Sequence, residues 1–97
     1  MKISQTVWID EKIKWSKLKK WELCKKNRYK GRVYIVCTSP HSNLLFEIIE
    51  ARYLSEWYHE ATLLGLCRDR QQAVEMVATL INDLYNEKTK TYEELQR

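Results

Sequence analysis

Residues 61–85 read ATLLGLCRDRQQAVEMVATLINDLY, and within them a nearly continuous apolar run passes straight into a helical pattern. The run at residues 61–67 predicts a strand buried on both faces of a sheet, with Gly65 at a bulge or a close backbone approach. Asp69, with Gln72 three residues later, resembles a capping box, which marks the start of a helix. Apolar residues then recur at helical spacing, and we expect all of them on one buried stripe: Ala73, Val74, Val77, Leu80, Ile81, Leu84 and Tyr85.

A second strand is predicted upstream at residues 32–38 (RVYIVCT), which are β-branched, aromatic and nearly continuous in apolar character. Residues 39–43 (SPHSN) are turn formers. Residues 44–49 then predict a third strand that pairs back on the second, and residues 50–58 predict a short helix. The alternative is a single helix over residues 44–58, capped by Asn43, which would make the domain mostly helical.

The N-terminal third is predicted to hold a basic helix. Residues 1–9 alternate weakly between polar and apolar side chains and would form an arm or a short edge strand. Asp10 is placed to cap a helix over residues 11–26, which contain neither Gly nor Pro, and Asn27 and Gly31 are placed to end it. At the other end of the chain, residues 88–97 predict a mobile tail.

These elements combine into one small α+β domain over residues 10–87, in the order α-β-β-(short α)-β-α, with a three-stranded sheet covered by the C-terminal helix. A length of 97 residues leaves room for one ordinary domain, and 2 Gly and 1 Pro exclude collagen-like and low-complexity chains. No apolar run approaches the roughly 20 residues that cross a bilayer, and the N-terminus has no apolar signal region. We therefore expect a cytoplasmic protein with no membrane span.

Charge is distributed unevenly along the chain. Residues 1–32 contain eleven Lys or Arg and three Asp or Glu, a net charge of +8, whereas residues 33–97 contain six and ten, a net charge of −4. Such asymmetry concerns partners more than fold. We expect the basic N-terminal third to be an appendage laid over a compact acidic body that the later strands and the closing helix form.

The sequence offers little catalytic chemistry. Cys37 lies near His41 in residues 37–42 (CTSPHS), but ordinary turn formers explain this segment and no family signature surrounds it. Two glycines in the whole chain exclude the glycine-rich loops that bind nucleotides. Cys24, Cys37 and Cys67 lack metal-binding spacing, and an odd count without a signal peptide indicates reduced thiols. We therefore predict no enzyme, no metal site and no cofactor.

Residues 14–32 combine aromatic and basic side chains, a mixture that suits polyanions because lysines neutralise phosphates and exposed rings stack on unpaired bases. The first interpretation is a non-enzymatic interaction module that binds a protein partner or self-associates through sheet edges or helix faces. The alternative is a nucleic-acid-binding accessory protein of weak sequence specificity, and an exposed Trp beside lysines would discriminate in its favour. The candidate binding residues are Lys14, Trp15, Lys17, Lys19, Lys20, Trp21, Lys25, Lys26, Arg28, Lys30 and Arg32.

Overall fold

The fold is built on a mixed β-sheet, and the computed structural model describes residues 1–39 and 44–97. The strands in these residues are β1 (Lys2–Ile9), β2 (Tyr34–Thr38), β3 (Phe46–Glu50) and β4 (Thr62–Cys67). They lie in the order β1-β4-β2-β3. β1 runs parallel to β4, whereas β2 runs antiparallel to both β4 and β3.

Helices lie on both faces of this sheet. One face carries α1 (Lys17–Lys26) and two short 3₁₀ turns, Ala51–Tyr53 and Glu56–Tyr58. The other face carries α2 (Arg70–Tyr85) and α3 (Tyr92–Leu95). The predicted α+β class is confirmed. Among the helices of the described residues, none has both the length and the apolar character needed to cross a membrane.

The sheet has one strand more than predicted, because residues 2–9 form an edge strand. All six residues of β4 are buried, so the backbone groups on both of its sides need partners. β2 supplies one side and β1 the other, and the Lys2 and Asp10 amides donate to the Ala61 and Leu66 carbonyls at 3.0 and 3.1 Å. The prediction of three strands is wrong. The alternation of polar and apolar side chains in residues 1–9 is too weak to indicate that they pair with β4.

Residues 44–58 hold a strand followed by 3₁₀ turns, so the single-helix alternative is wrong. β3 is in antiparallel register with β2, and Val36 lies opposite Ile48. The short helix predicted over residues 50–58 is also absent there, because Leu54 has an extended backbone between the two turns (φ −65°, ψ 133°). The predicted turn residues 40–43 lie outside the described residues.

The basic helix begins at Lys17 rather than at residue 11. Its N-cap is Ser16, whose Oγ accepts a hydrogen bond from the Lys19 amide at 3.2 Å. Asp10 instead stabilises a separate turn, in which its Oδ1 accepts from the Lys12 amide at 2.8 Å. The turn keeps the intervening residues out of the helix, and Trp15 packs against the core from this non-helical segment.

Each face of the sheet has its own core. Leu23 of α1 is fully buried, and Met1 and Tyr29 are only 4% and 5% exposed. The basic N-terminal third is therefore part of the fold, and the expectation of an appendage on an acidic body is wrong. The upper core, on the α1 face, consists of Met1, Leu23, Tyr29, Val33, Ile35, Cys37, Ile49, Ala51, Ala61, Leu63 and Leu66. The lower core, on the α2 face, consists of Val36, Phe46, Leu64, Cys67, Ala73, Leu80 and Leu95.

β4 contains the bulge predicted at Gly65. Residues 36 and 37 are adjacent in β2, but their partners in β4, Gly65 and Leu63, are separated by the extra residue Leu64. A Cβ at Gly65 would collide with Sδ of Met76 on α2. Glycine at this position therefore leaves room for the Met76 thioether against the strand backbone.

α2 begins where predicted but buries less of its apolar surface. The Asp69 Oδ1 accepts from the Gln72 amide at 2.8 Å, which confirms the predicted N-cap. Ala73 and Leu80 are buried in the lower core. Three residues predicted on the same buried stripe are instead exposed, at 43%, 42% and 60%: Val74, Ile81 and Tyr85.

The C-terminal residues contain one helical turn that packs on the domain. Thr91 caps α3, Leu95 is buried in the lower core, and the Tyr92 hydroxyl donates to the Leu45 carbonyl at 3.0 Å. These contacts join residues 91–95 to the rest of the fold. Mobility of residues 88–97 stays a prediction.

A buried carboxylate joins the ends of β1 and β4 to α2. The Asp10 side chain is almost fully buried, and its Oδ2 accepts from Gln72 Nε2 at 2.8 Å and from Arg68 Nη1 at 2.7 Å. The hydrogen bonds from Gln72 and from the Lys12 amide, with the Arg68 guanidinium beside them, hold the pKa of Asp10 below its ordinary value of 3.8.

This lowered pKa predicts a loss of stability in acid. The Asp10 carboxylate stabilises the fold fully above the ordinary pKa of 3.8, and this contribution disappears as the pH falls through the lower pKa of the folded state. We expect Asp10→Asn to lower the melting temperature at pH 7 and the difference from wild type to shrink toward pH 2–3. Glu87→Gln, at an exposed carboxylate, is the control. It should leave the melting temperature equal to that of wild type both at pH 7 and at pH 2–3. A pH-independent difference for Asp10→Asn would contradict the assignment.

Candidate nucleic-acid interface

α1 is attached to the sheet along a narrow strip, so most of its circumference faces outward. Leu23 is its one buried residue. The helix ends at Asn27, whose left-handed backbone (φ 49°) forms the C-cap, and the Met1 ammonium donates to Asn27 Oδ1 and to the Leu23 carbonyl. Positive charge at this end is favourable because the helix dipole is negative there. α1 is thus fixed firmly at its C-terminal end while its outer face remains open.

The outer face of α1 carries a row in which basic and aromatic side chains alternate. Lys17, Trp21 and Lys25 are four residues apart and all exposed, so they follow one another along the side of the helix opposite Leu23. The Trp21 side chain is 49% exposed, and the Lys26 ammonium lies 5.3 Å from its ring centroid. An aromatic ring open to solvent between two ammonium groups is the arrangement that binds unpaired bases and their phosphates.

The two tryptophans of the basic segment differ in role. Trp15 is half-buried and packs against the upper core, so it anchors the segment. Trp21 is the one that remains available to a ligand. Leu18, one turn before it, is 64% exposed and widens the apolar part of this face.

Some of the predicted binding residues are already engaged. The Lys19 ammonium lies 4.7 Å from the Tyr29 ring centroid and 3.3 Å from its hydroxyl. Arg28 Nε lies 3.8 Å from Glu22 Oε2. The Lys26 ammonium is likewise held over the Trp21 ring. The remaining cations are exposed and form no ion pair within 4 Å with another described residue: Lys14, Lys17, Lys20, Lys25, Lys30 and Arg32.

The structure adds a pocket of about 430 Å³ where the basic segment meets the sheet. Three arginines line it, Arg32, Arg52 and Arg68. Glu50 is the acid among the lining residues, and it accepts from Arg52 Nε and from the Tyr34 hydroxyl, each at 2.9 Å. These two hydrogen bonds hold the pKa of Glu50 below its usual value. Arg32 therefore lines the pocket as a free cation in the described structure, and the pocket suits a phosphate group.

Sequence reasoning missed Arg52 and Arg68 as members of this site. Both lie outside the run of positive charge, in the part of the chain with net negative charge. The strand register brings them to Arg32, because Tyr34 lies opposite both Glu50 in β3 and Cys67 in β4. The available signal was the position of each arginine just after a strand.

The two buried thiols, Cys37 and Cys67, are poor nucleophiles. Cys37 is fully buried, and burial, aided by the nearby Glu47 charge, raises its pKa to about 12. Burial likewise raises the pKa of Cys67 to about 11. Both side chains pack as small hydrophobic residues, whereas His41 lies outside the described residues. In residues 1–39 and 44–97, no group of acidic, His and Cys side chains is arranged to hold a metal ion.

Comparisons with known proteins found no matching family model, no matching curated protein and no matching solved structure. Functional inference therefore depends on the geometry of the site itself.

Proposed function

We propose that this chain is a non-enzymatic interaction module that binds single-stranded nucleic acid on the outer face of α1 and in the adjoining arginine pocket. The row of Lys17, Trp21 and Lys25 is the observation that carries the proposal. Bases stack on the exposed indole, the flanking ammonium groups neutralise phosphates, and Arg32 takes a further phosphate at the pocket. Because these contacts reach phosphates and ring faces rather than base edges, binding has little sequence specificity.

Replacement of the central indole should weaken this binding strongly. Loss of one base-stacking ring costs about 1–3 kcal/mol, so Trp21→Ala should raise the dissociation constant about 5- to 150-fold. The measurement is fluorescence anisotropy with a labelled single-stranded oligonucleotide of about 16 nucleotides. Trp8→Ala is the matched control, because Trp8 is 45% exposed but lines a groove on the opposite face of the sheet. Equal weakening by both substitutions would contradict the proposed surface.

The salt dependence of the same titration tests the lysines. Wild-type affinity should fall steeply between about 50 and 200 mM salt, because bound phosphates release counterions. The triple variant Lys17→Gln, Lys20→Gln, Lys25→Gln should reduce the slope of log K against log salt by about 2. Lys88→Gln, beyond α2, should leave the slope unchanged. Absence of binding at the lower salt concentration would end the proposal.

A second candidate function, self-association, is favoured by the outer surface of α2. Its exposed apolar residues Val74, Ile81 and Tyr85 lie with exposed Ala78 at successive spacings of four, three and four, the pattern of a helix-pairing seam. The sheet edges are less suitable than the sequence suggested, because Glu47 and Glu50 place charge on β3 and the β1 ladder is interrupted.

The proposed occupant of this seam is a second copy of the chain in antiparallel orientation. About a two-fold axis, Val74 of one copy lies opposite Tyr85 of the other and Ala78 opposite Ile81, so a large side chain meets a small one at each step. Light scattering over a range of concentrations should show a mass that rises toward the dimer for wild type. Ile81→Lys should remain monomeric. Thr79→Lys should still form the dimer, because Thr79 lies on the side of α2 that faces the groove lined by Trp8. A wild-type chain that stays monomeric throughout would contradict the seam.

We also propose a reducing, cytoplasmic location. It is supported by the three free cysteines, Cys24, Cys37 and Cys67.

A further inference from the structure

A groove of about 520 Å³ lies between β1 and α2, on the face of the sheet opposite α1. Its apolar lining includes Leu64, Met76, Leu80 and Leu95, and Trp8 forms one wall. This volume is within the range of small-molecule sites, which combine an apolar lining with a few polar groups. The groove is separate from the proposed nucleic-acid surface, so it requires its own explanation.

The irregular pairing of β1 creates this groove. Ile3 lies opposite Leu63 and Trp8 lies opposite Gly65. Four residues of β1, 4–7, therefore stand against a single residue of β4, Leu64, and the regular pairing of the two strands is interrupted there. α2 packs over β2, β3 and β4, and α3 contacts β1, so the groove opens between these two helices and the β1 edge of the lower face. The same interruption removes the regular edge that an added peptide strand would need. The groove is therefore suited to a compact ligand.

The wall and the lining are chemically suited to an aromatic ring. The Trp8 indole is 45% exposed, although it is large enough to be expected in a core. Met76 also lines the groove, and its thioether makes favourable contacts with aromatic rings. A planar ring inserted here would bury the open side of Trp8 against Met76 and the leucines.

The rim carries negative charge. Glu75 and Asp83 of α2 both line the groove, and Lys90 lies opposite them with its Nζ 3.6 Å from Asp83 Oδ2. Glu75 forms no ion pair within 4 Å with a described residue, and it accepts a hydrogen bond from Gln71 Nε2 at 3.3 Å. Lys90 therefore neutralises Asp83, whereas the charge of Glu75 is not neutralised by a described residue. The rim favours a cation at Glu75.

We propose that this groove binds a small aromatic amine, with the ring between Trp8 and Met76 and the ammonium group at Glu75. The ring contributes apolar burial, and the ammonium contributes a charge-assisted hydrogen bond at the uncompensated end of the rim. An aromatic acid of the same size would place its carboxylate against Glu75 and bind more weakly.

The test compares tryptamine with indole-3-propionate, which share a ring and a linker but carry opposite charges. The full chain, labelled with ¹³C at its Met and Leu methyl groups, is titrated with each compound and followed by NMR. Tryptamine should cause saturable shifts at Leu64, Met76, Leu80 and Leu95, and the propionate should cause clearly smaller shifts at the same concentrations. No saturable shift with tryptamine, equal shifts with both compounds, or shifts confined to methyl groups of residues other than these four would each overturn the proposal.

Three variants, one of them a control, make the assignment specific. Glu75→Gln, at an exposed rim position, should weaken tryptamine binding up to about five-fold, the range of an exposed ion pair, without altering the methyl spectrum of the free protein. Glu93→Gln, an exposed carboxylate outside the groove, should leave binding unchanged. Trp8→Ala should abolish binding. An unchanged affinity in Trp8→Ala would overturn the proposed pose, and an unchanged affinity in Glu75→Gln would overturn the placement of the ammonium group.

Discussion

A chain that lacks residues 1–9 is expected to lose its cooperative fold and to aggregate. The deletion removes β1, and with it the buried Met1 and the partly buried Ile3, Val7 and Ile9 that pack on the upper core. It also turns β4 (TLLGLC), which is buried along its whole length, into an open edge. An exposed apolar edge strand pairs readily with other chains.

Circular dichroism and size-exclusion chromatography measure this outcome directly. We expect no cooperative thermal transition and elution as aggregates. Removal of the exposed residues 96 and 97 is the control and should leave the transition intact. A monomeric, cooperatively melting chain without residues 1–9 would show that β1 is dispensable, and the role given to it in the fold would be wrong.

Leu23→Ala is expected to cost about 2–5 kcal/mol of unfolding free energy, the range for truncation of a fully buried leucine. Leu23 is the buried contact of α1, and its loss would leave a cavity in the upper core. Leu18→Ala lies on the same helix at 64% exposure and should change the stability by less than about 0.5 kcal/mol.

Urea denaturation of both variants gives the comparison. The large difference between two leucines five positions apart would establish that the basic helix belongs to the folded body. Equal and small effects would instead restore the interpretation of α1 as an appendage. Because folded domains of this size are stabilised by only about 5–15 kcal/mol, Leu23→Ala should also lower the melting temperature visibly.

The local patterns in the sequence predicted the centre of the fold well. The strand at residues 61–67, the Asp69 cap and the helix after it all form, because each is determined by neighbours in sequence. The antiparallel pairing of β2 and β3 was also predictable, because β-branched runs lie on either side of a stretch of turn-forming residues in the sequence. What failed was long-range: β1 pairs with a strand sixty residues away, and nothing in residues 1–9 alone identifies that partner.

Sequence periodicity also overstated how much of α2 is buried. Val74, Ile81 and Tyr85 fit a helical stripe together with Ala73 and Leu80, but the helix buries only one side of that broad apolar sector. The width of the sector was visible in the sequence. Which part of it the sheet covers depends on the orientation of the helix, which periodicity does not determine.

The candidate site was predicted in part. The concentration of lysine and tryptophan in residues 14–32 identified the segment, but a sequence cannot separate the packed Trp15 from the open Trp21. That distinction depends on where α1 begins, and Ser16 rather than Asp10 determines it. Arg52 and Arg68 join the site only through strand register.

The parallel pairing of β1 with β4 determines when the molecule can be completed during synthesis. Lys2 emerges from the ribosome sixty residues before its partner Thr62. Such distant contacts slow folding, because a long loop must close before the pairing contributes any stability. The antiparallel pair of β2 and β3 is therefore available as an early nucleus, whereas β1 is made sixty residues before its partner and is among the last strands to be secured. A chaperone would find its longest-lived target in β1.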